Sequence, residues 1–210
     1  MRSFLSDLGP RFGVWRRPGY GGITYSDGDE VESRIAQIIL TAPDVSLFSE
    51  DLVRHCTDWP STYHLSPQRA NILRPFESLL TGDILEIGAG CGAITRFLGE
   101  SGGSVLALEG SPRRAGIARE RTRDLSNVTV VSENFDLFDC ENGFDLIVMI
   151  GVLEYASLFM SSADPARAML QKVCKLLKPG GRVVVAIENQ LGLKYFAGAP
   201  EDHLGIPMYG

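Results

Sequence analysis

Two spacings of apolar positions alternate along this chain, and the change between them divides it into elements. Val31, Ile35, Ile38 and Ile39 recur on one face of an amphipathic helix that Pro43 ends. A shorter helix is predicted over 49–56. The stretch 59–67 is aromatic and aperiodic, and Ser66-Pro67 then opens a helix that Ala70, Ile72, Leu73 and Phe76 continue. From Asp83 onward, short apolar runs alternate with helical stripes. Strands are predicted over 83–87, 104–109, 128–132, 144–150 and 182–187. Helices start at Ala93, at Ser111-Pro112 and at Asp164-Pro165, the last with Met169, Leu170, Val173, Cys174, Leu176 and Leu177 on its inner side. Strand–helix alternation of this kind predicts an α/β architecture, a Rossmann-like open and mostly parallel twisted sheet with helices on both faces. Residues 1–30, rich in Gly, Arg and aromatics, read as a poorly ordered or surface arm with one short strand over 23–25. Residues 1–80 are therefore expected to form an arm and helical cap, and 81–210 the sheet domain.

Composition narrows the function classes. The net charge is −6, and no basic run interleaves with aromatics, so a nucleic-acid partner is not expected. The longest apolar run, 146–153, contains a glycine and is too short for a bilayer span, and the N-terminus lacks the apolar core of a secretion signal. Cys56, Cys91, Cys140 and Cys174 are widely spaced with no metal-binding pair. Reduced thiols, no metal and a cytoplasmic location are the expectation.

The chemistry concentrates around Gly88-Ala89-Gly90-Cys91-Gly92-Ala93, which follows one strand and opens a helix. Glycines here permit positive φ and remove Cβ atoms, so that backbone can lie against a ligand facing the helix amides. Alone, the loop also fits a dinucleotide fingerprint. Its surroundings are more particular. Glu86 stands on the loop's own strand, and Glu109 closes the next strand about 20 residues on, where a carboxylate can accept both ribose hydroxyls. Phe144-Asp145 opens the fourth strand, Gly151-Val152-Leu153-Glu154-Tyr155 follows it, and Leu177-Lys178-Pro179-Gly180-Gly181 precedes the fifth.

This set, over 83 to about 190, resembles the class I S-adenosylmethionine-dependent methyltransferases. The resemblance implies S-adenosyl-L-methionine as cofactor and S-adenosyl-L-homocysteine as product. It places Glu86, Gly88, Ala89 and Gly90 at the amino-acid end of the cofactor and Glu109 on the ribose. Gly110 and Ser111 would flank the adenine, and Gly151 would line the methionine side. Asn134, with Phe135 beside it, stands where the family usually carries an aspartate that reads the adenine amino group, and Glu133 is the alternative reader. Asp145 and the run Arg113, Arg114, Arg119, Arg121 and Arg123 have plainer readings, a structural strand start and a solvated helix face.

Two further stretches, 59–67 and 188–203, are similar to the methyltransferase module of bacterial multidomain proteins that also carry glycosyltransferase modules. That implies a small-molecule or saccharide acceptor, such as a hydroxyl of a saccharide or glycolipid. A hydroxyl acceptor needs a base or a metal to remove its proton, and Glu154, His64 and His203 are the candidate bases in that order. Tyr63, His64 and Glu154 are expected to converge beside the methyl position. The alternatives are a cofactor-binding but inactive regulatory or assembly module, and a nicotinamide-dependent oxidoreductase, which Glu86, Gly92 and 178–181 oppose. Sheets of the resembled class usually end in two more strands, which need about 35 residues or more, and 188–210 is too short for them. The chain is thus expected to be the N-terminal part of a longer protein. Its fifth strand would be an apolar edge open to self-association or covered by the N-terminal segment.

Overall fold

The computed structural model describes residues 9–11, 13–23, 26, 28–188 and 191–200. In chain order the elements are β1 (Gly9–Arg11), β2 (Val14–Arg16), α1 (Asp29–Thr41), α2 (Glu50–Val53) and α3 (Trp59–Leu65). Two 3₁₀ turns, Pro67–Ile72 and Arg74–Leu79, lead into β3 (Asp83–Ile87), α4 (Ala93–Glu100), β4 (Ser104–Glu109), α5 (Pro112–Arg121) and β5 (Val128–Ser132). β6 (Phe144–Ile150), α6 (Ala156–Phe159), α7 (Pro165–Leu176), β7 (Leu177–Ala186) and α8 (Leu193–Phe196) complete it.

The sheet runs β1-β2-β5-β4-β3-β6-β7, parallel throughout except for the β1–β2 hairpin. β3 is the switch point, since the chain proceeds through β4 and β5 on one side and returns with β6 on the other. Ile84 pairs with Val105 across one edge and with Leu146 across the other. One face packs Ile84, Val105, Val130 and Leu146 beneath α4 and α5, and the opposite face packs Leu85, Leu106, Ile147 and Met149 against α7. A third cluster joins Ile35, Ile39, Leu52 and Leu65 of the helical cap to Cys91 and Ile117. Ile35 and Ile39 are wholly buried, each contributing on the order of 2–3 kcal/mol to this docking.

The strands of the sheet domain fall where the apolar runs place them, β7 beginning earlier because the turn at Gly180 sits inside it as a register shift. Lys178 donates to Asp83 at 2.6 Å and to Asp145 at 2.8 Å, and Asp145 also accepts from the Asp83 amide, a structural clasp between β3, β6 and β7.

Several expectations need correction. Residues 59–65 are helical, not irregular, because Asp58 and Ser61 form a reciprocal capping box. The stretch after Ser66 is 3₁₀ with a kink at Phe76, which leaves Ile72 and Phe76 partly exposed while Ala70 and Leu73 are buried. On α7, Leu170 is partly exposed and Cys174 exposed, outside the buried stripe of Met169, Val173 and Leu176.

The arginines of α5 and its C-terminal turn are not a solvated face. Arg114 and Arg121 are buried, and Arg121 donates to Val45 O. Arg123 donates to Ile39 O and Ala42 O, ending α1 with a cation on its last carbonyls. Arg113 pairs with Asp29. These side chains are the polar half of the interface between the cap and the sheet domain.

The described part of the N-terminal arm is also ordered into the sheet, as β1 and β2 on the β5 edge. The strand expected over 23–25 lies largely outside the described residues. Among the described residues the sheet therefore counts seven strands rather than five, and strand number gives no support to the expectation of missing strands. Among the described residues β7 is an edge, with Val183 and Val185 exposed by 39% and 37% and Ile187, just beyond it, by 53%, and the N-terminal segment covers the opposite edge.

Candidate functional site

A cavity of about 800 Å³ opens at the carboxyl ends of the strands around the switch point, a size that suits a nucleotide-scale ligand. Gly88, Ala89, Gly90 and Cys91 form one wall between β3 and α4. The three glycines have different reasons to be there. A Cβ at Gly88 would stand 2.4 Å from Val152 Cγ2, and one at Gly92 would stand 2.8 Å from Ala118 Cα, so both are set by packing. Only at Gly90 is the nearest atom the mobile end of a side chain, Arg114 Nη2 at 3.1 Å. Gly88 and Gly90 both line the cavity, but only at Gly90 does close packing not demand the missing Cβ, which corrects the uniform reading of the loop.

Of the five carboxylates that line the cavity, three stand at the ends of β3, β4 and β5. Glu86 is buried beneath the loop and accepts from Thr95 Oγ1 at 2.6 Å. Burial pushes its carboxyl up to about 7, with Glu109 adding to the rise and Thr95 and Arg69 opposing it. Glu109, at the end of β4, accepts from Gly90 N at 2.7 Å and from Ser111 N at 2.9 Å. It therefore ties the glycine loop to the start of α5 while lining the cavity. Glu133, wholly buried after β5, accepts from Arg17 Nε at 2.7 Å and from Asn134 N at 3.1 Å. Gly110, Asn134 and Phe135 share this end of the cavity. Ser111 does not reach the wall, because its hydroxyl caps α5 by accepting from Arg114 N. The Asn134 side-chain oxygen is likewise occupied, accepting from Asp136 N at 3.0 Å to start a 3₁₀ turn.

At the opposite end, Gly151 follows β6 with φ +67°. A Cβ there would lie 3.7 Å from Glu154 Oε1 and 3.9 Å from Tyr63 Oη. Tyr63 and His64 project from α3, the His64 ring edge-on to Tyr63 at 5.1 Å, and both line the cavity with Glu154. Tyr63, His64 and Glu154 thus line one cavity. His203 lies outside the described residues.

Several wall residues escaped sequence reasoning. Arg69 stacks its guanidinium 3.9 Å above the Tyr63 ring, Trp59 sits at the mouth 70% exposed, and Ile23 packs on Gly110. Glu188 and Lys194, paired at 3.0 Å, close the side next to β7. Helical spacing would have placed Trp59 and Tyr63 on one face had the capping box at Asp58 been read. No periodicity marks Arg17 or Ile23, since both lie outside regular elements, Arg17 just after β2.

Fold and site together describe an open α/β sheet with a nucleotide-scale cavity at its switch point. Residues 85–183 match the family model described as a methyltransferase domain. A demethylmenaquinone methyltransferase of Tropheryma whipplei (strain Twist) is 36% identical over 103 residues, which are 49% of this chain and 40% of that protein. A ribosomal RNA small subunit methyltransferase A of Streptococcus sanguinis (strain SK36) is 44% identical over 52 residues, 25% of this chain and 18% of that protein. The matched stretches span less than half the length of these relatives. A solved structure, the DhpI-SAM-HEP complex, has the same fold, with a TM-score of 0.50 at 20% identity over 76% of this chain and 66% of that one.

Proposed function

We propose that this protein binds S-adenosyl-L-methionine at the switch point and transfers its methyl group to an acceptor entering beside α3, leaving S-adenosyl-L-homocysteine. The observation that carries this reading is one cavity joining the glycine loop, Glu86 and Glu109 at one side to Gly151, Glu154 and Tyr63 at the other. The donor set fits the cofactor. Glu86 would take the ammonium and Glu109 the ribose hydroxyls, the backbone of Ala89 and Gly90 lying alongside. Gly110 and Phe135 would border the base, and Gly151 the methionine chain. The methyl group on a sulfonium is already activated when the cofactor is bound. What remains for the chain is alignment and exclusion of water, the work of the α3 roof, the loop after β6 and the segment after β7.

The acceptor reading goes further. A hydroxyl of a saccharide or glycolipid suits the exposed face of Trp59 and the ring of Tyr63, because aromatic faces pack against the apolar faces of sugar rings. The likeness of 59–67 and 188–203 to modules that accompany glycosyltransferases supports the same class. Glu154 is the first candidate to take the hydroxyl proton and His64 the second. Residues 1–80 act in this reading as arm and cap, and 81–210 as the cofactor-binding domain. No helix among the described residues is long and apolar enough to cross a membrane, and the expected setting is cytoplasmic. No nucleic-acid partner is proposed.

A screen with methyl-labelled cofactor against sugars, glycolipids, quinols and RNA tests the reading. Label in the saccharide pool that Glu154→Gln reduces by at least about tenfold is the expected result. Label only in quinol or RNA would overturn the acceptor class, and label in none would favour a binding module without transferase activity.

A further inference from the structure

The N-terminal arm reaches the base end of the cavity by an unusual route. β2 joins β5 in parallel, with Arg16 opposite Ser132, so the next residues on each strand, Arg17 and Glu133, stand side by side. Arg17 Nε donates to Glu133 Oε2 at 2.7 Å, and the Glu133 side chain is wholly buried while Arg17 remains 42% exposed. Beyond Arg17 the arm crosses toward β4. Tyr20 Oη donates to Gly110 O at 2.8 Å, Ile23 N donates to the same oxygen at 3.2 Å, and the Ile23 side chain packs on Gly110. The arm thus spans the outer side of the cavity's base end, from Glu133 to Gly110.

We infer that Arg17 is a positioning residue for base recognition: it holds the Glu133 carboxylate toward the base end of the cavity, and Glu133 rather than Asn134 accepts from the adenine amino group. This rests on the cofactor reading above. Asn134 Oδ1 is neutral and holds the 3₁₀ turn through Asp136 N, whereas Glu133, bonded once at each oxygen, borders the same cavity with a carboxylate, the stronger acceptor for an amino group. A buried carboxylate is costly without a cation, and Arg17 is the cation within reach. An ionised carboxylate only accepts hydrogen bonds. It therefore favours an amino group in front of it and refuses a carbonyl. The arm, read from the sequence as surface, becomes the element that sets purine specificity.

Calorimetry on the full chain with S-adenosyl-L-homocysteine and with S-inosyl-L-homocysteine, which carries a carbonyl in place of the amino group, tests this. The wild type is expected to prefer the adenosyl ligand by roughly 10- to 100-fold, the range of one hydrogen bond to a charged group. Arg17→Ala should bring the preference down to about threefold or less, and Arg17→Lys should restore part of it; Glu133→Ala should abolish it. Equal affinity of the wild type for both ligands overturns the inference and leaves the cofactor reading intact. An Arg17→Ala protein that weakens both ligands by the same factor also overturns it, since Arg17 would then only strap the arm. Failure of the wild type to bind either ligand overturns the cofactor reading itself, and this inference with it.

Discussion

At the scale of single residues, the acids of the cavity differ in what they are free to do. Glu109 accepts one amide bond at each oxygen, from Gly90 and Ser111, and keeps a second acceptor direction at each for the ribose, so Glu109→Ala should weaken S-adenosyl-L-homocysteine binding and also loosen the glycine loop. Each charge-assisted bond lost is on the order of 1.5–3 kcal/mol, so a fall in affinity of tenfold or more with a measurable drop in Tm is expected, roughly. Unchanged calorimetric affinity would remove the ribose assignment. Glu86 is the pH-sensitive group. Its folded carboxyl is raised to about 7, above the ordinary value near 4.3, so its protonated form is favoured in the free protein. Its contribution to stability is then fully present below the ordinary value and is lost as the pH rises through 7. An ammonium ligand selects the ionised form, so affinity should fall below pH 7 by up to about tenfold per unit. Glu86→Gln should bind weakly with no such slope; a wild type whose affinity is flat between about pH 5.5 and 8 would contradict the assignment.

At the scale of elements, the glycine loop separates packing from ligand access. Gly88→Ala drives a methyl into Val152 at a residue with φ +77°, whereas Gly102, with φ +94°, has open space around its Cβ position. Both substitutions carry backbone strain, but only the first adds a clash, so Gly88→Ala should be the more destabilising by about 1–3 kcal/mol in chemical denaturation. Equal losses would mean that strain alone sets the loop. The same contrast shows what was legible in the sequence. The strands from Asp83 to Ile150 could be read because buried parallel strands are runs of apolar residues, and β3, β4, β5 and β6 have the predicted bounds. The helix at 59–65 was hidden because its signal is the Asp58–Ser61 cap rather than an apolar stripe. The arginines after Ser111 misled because a guanidinium can be buried when carbonyls at the end of another helix receive it, a tertiary fact with no local mark.

At the scale of the molecule, Glu86, Gly90, Glu109 and Gly151 lie within contiguous strand–turn–helix units, so the motifs that carry the family resemblance were visible along the chain, and all four line one cavity. The proposed acceptor side draws on α3, the loop after β6 and the segment after β7, which only the folded topology brings together. Among the described residues β7 ends the sheet, with Val183 and Val185 partly exposed, so self-association through this edge is proposed at high concentration. Sedimentation should show it, and Val185→Lys should reduce it; a monomer at every concentration would remove the proposal. The central claim is that the cavity at the switch point is built for S-adenosyl-L-methionine rather than for a dinucleotide. Titration calorimetry of the intact chain with S-adenosyl-L-homocysteine and, separately, with NAD tests it most directly. The account expects saturable one-to-one binding of S-adenosyl-L-homocysteine, weakened by Glu86→Gln and Glu109→Ala, and no binding of NAD; saturable binding of NAD with none of S-adenosyl-L-homocysteine would contradict it.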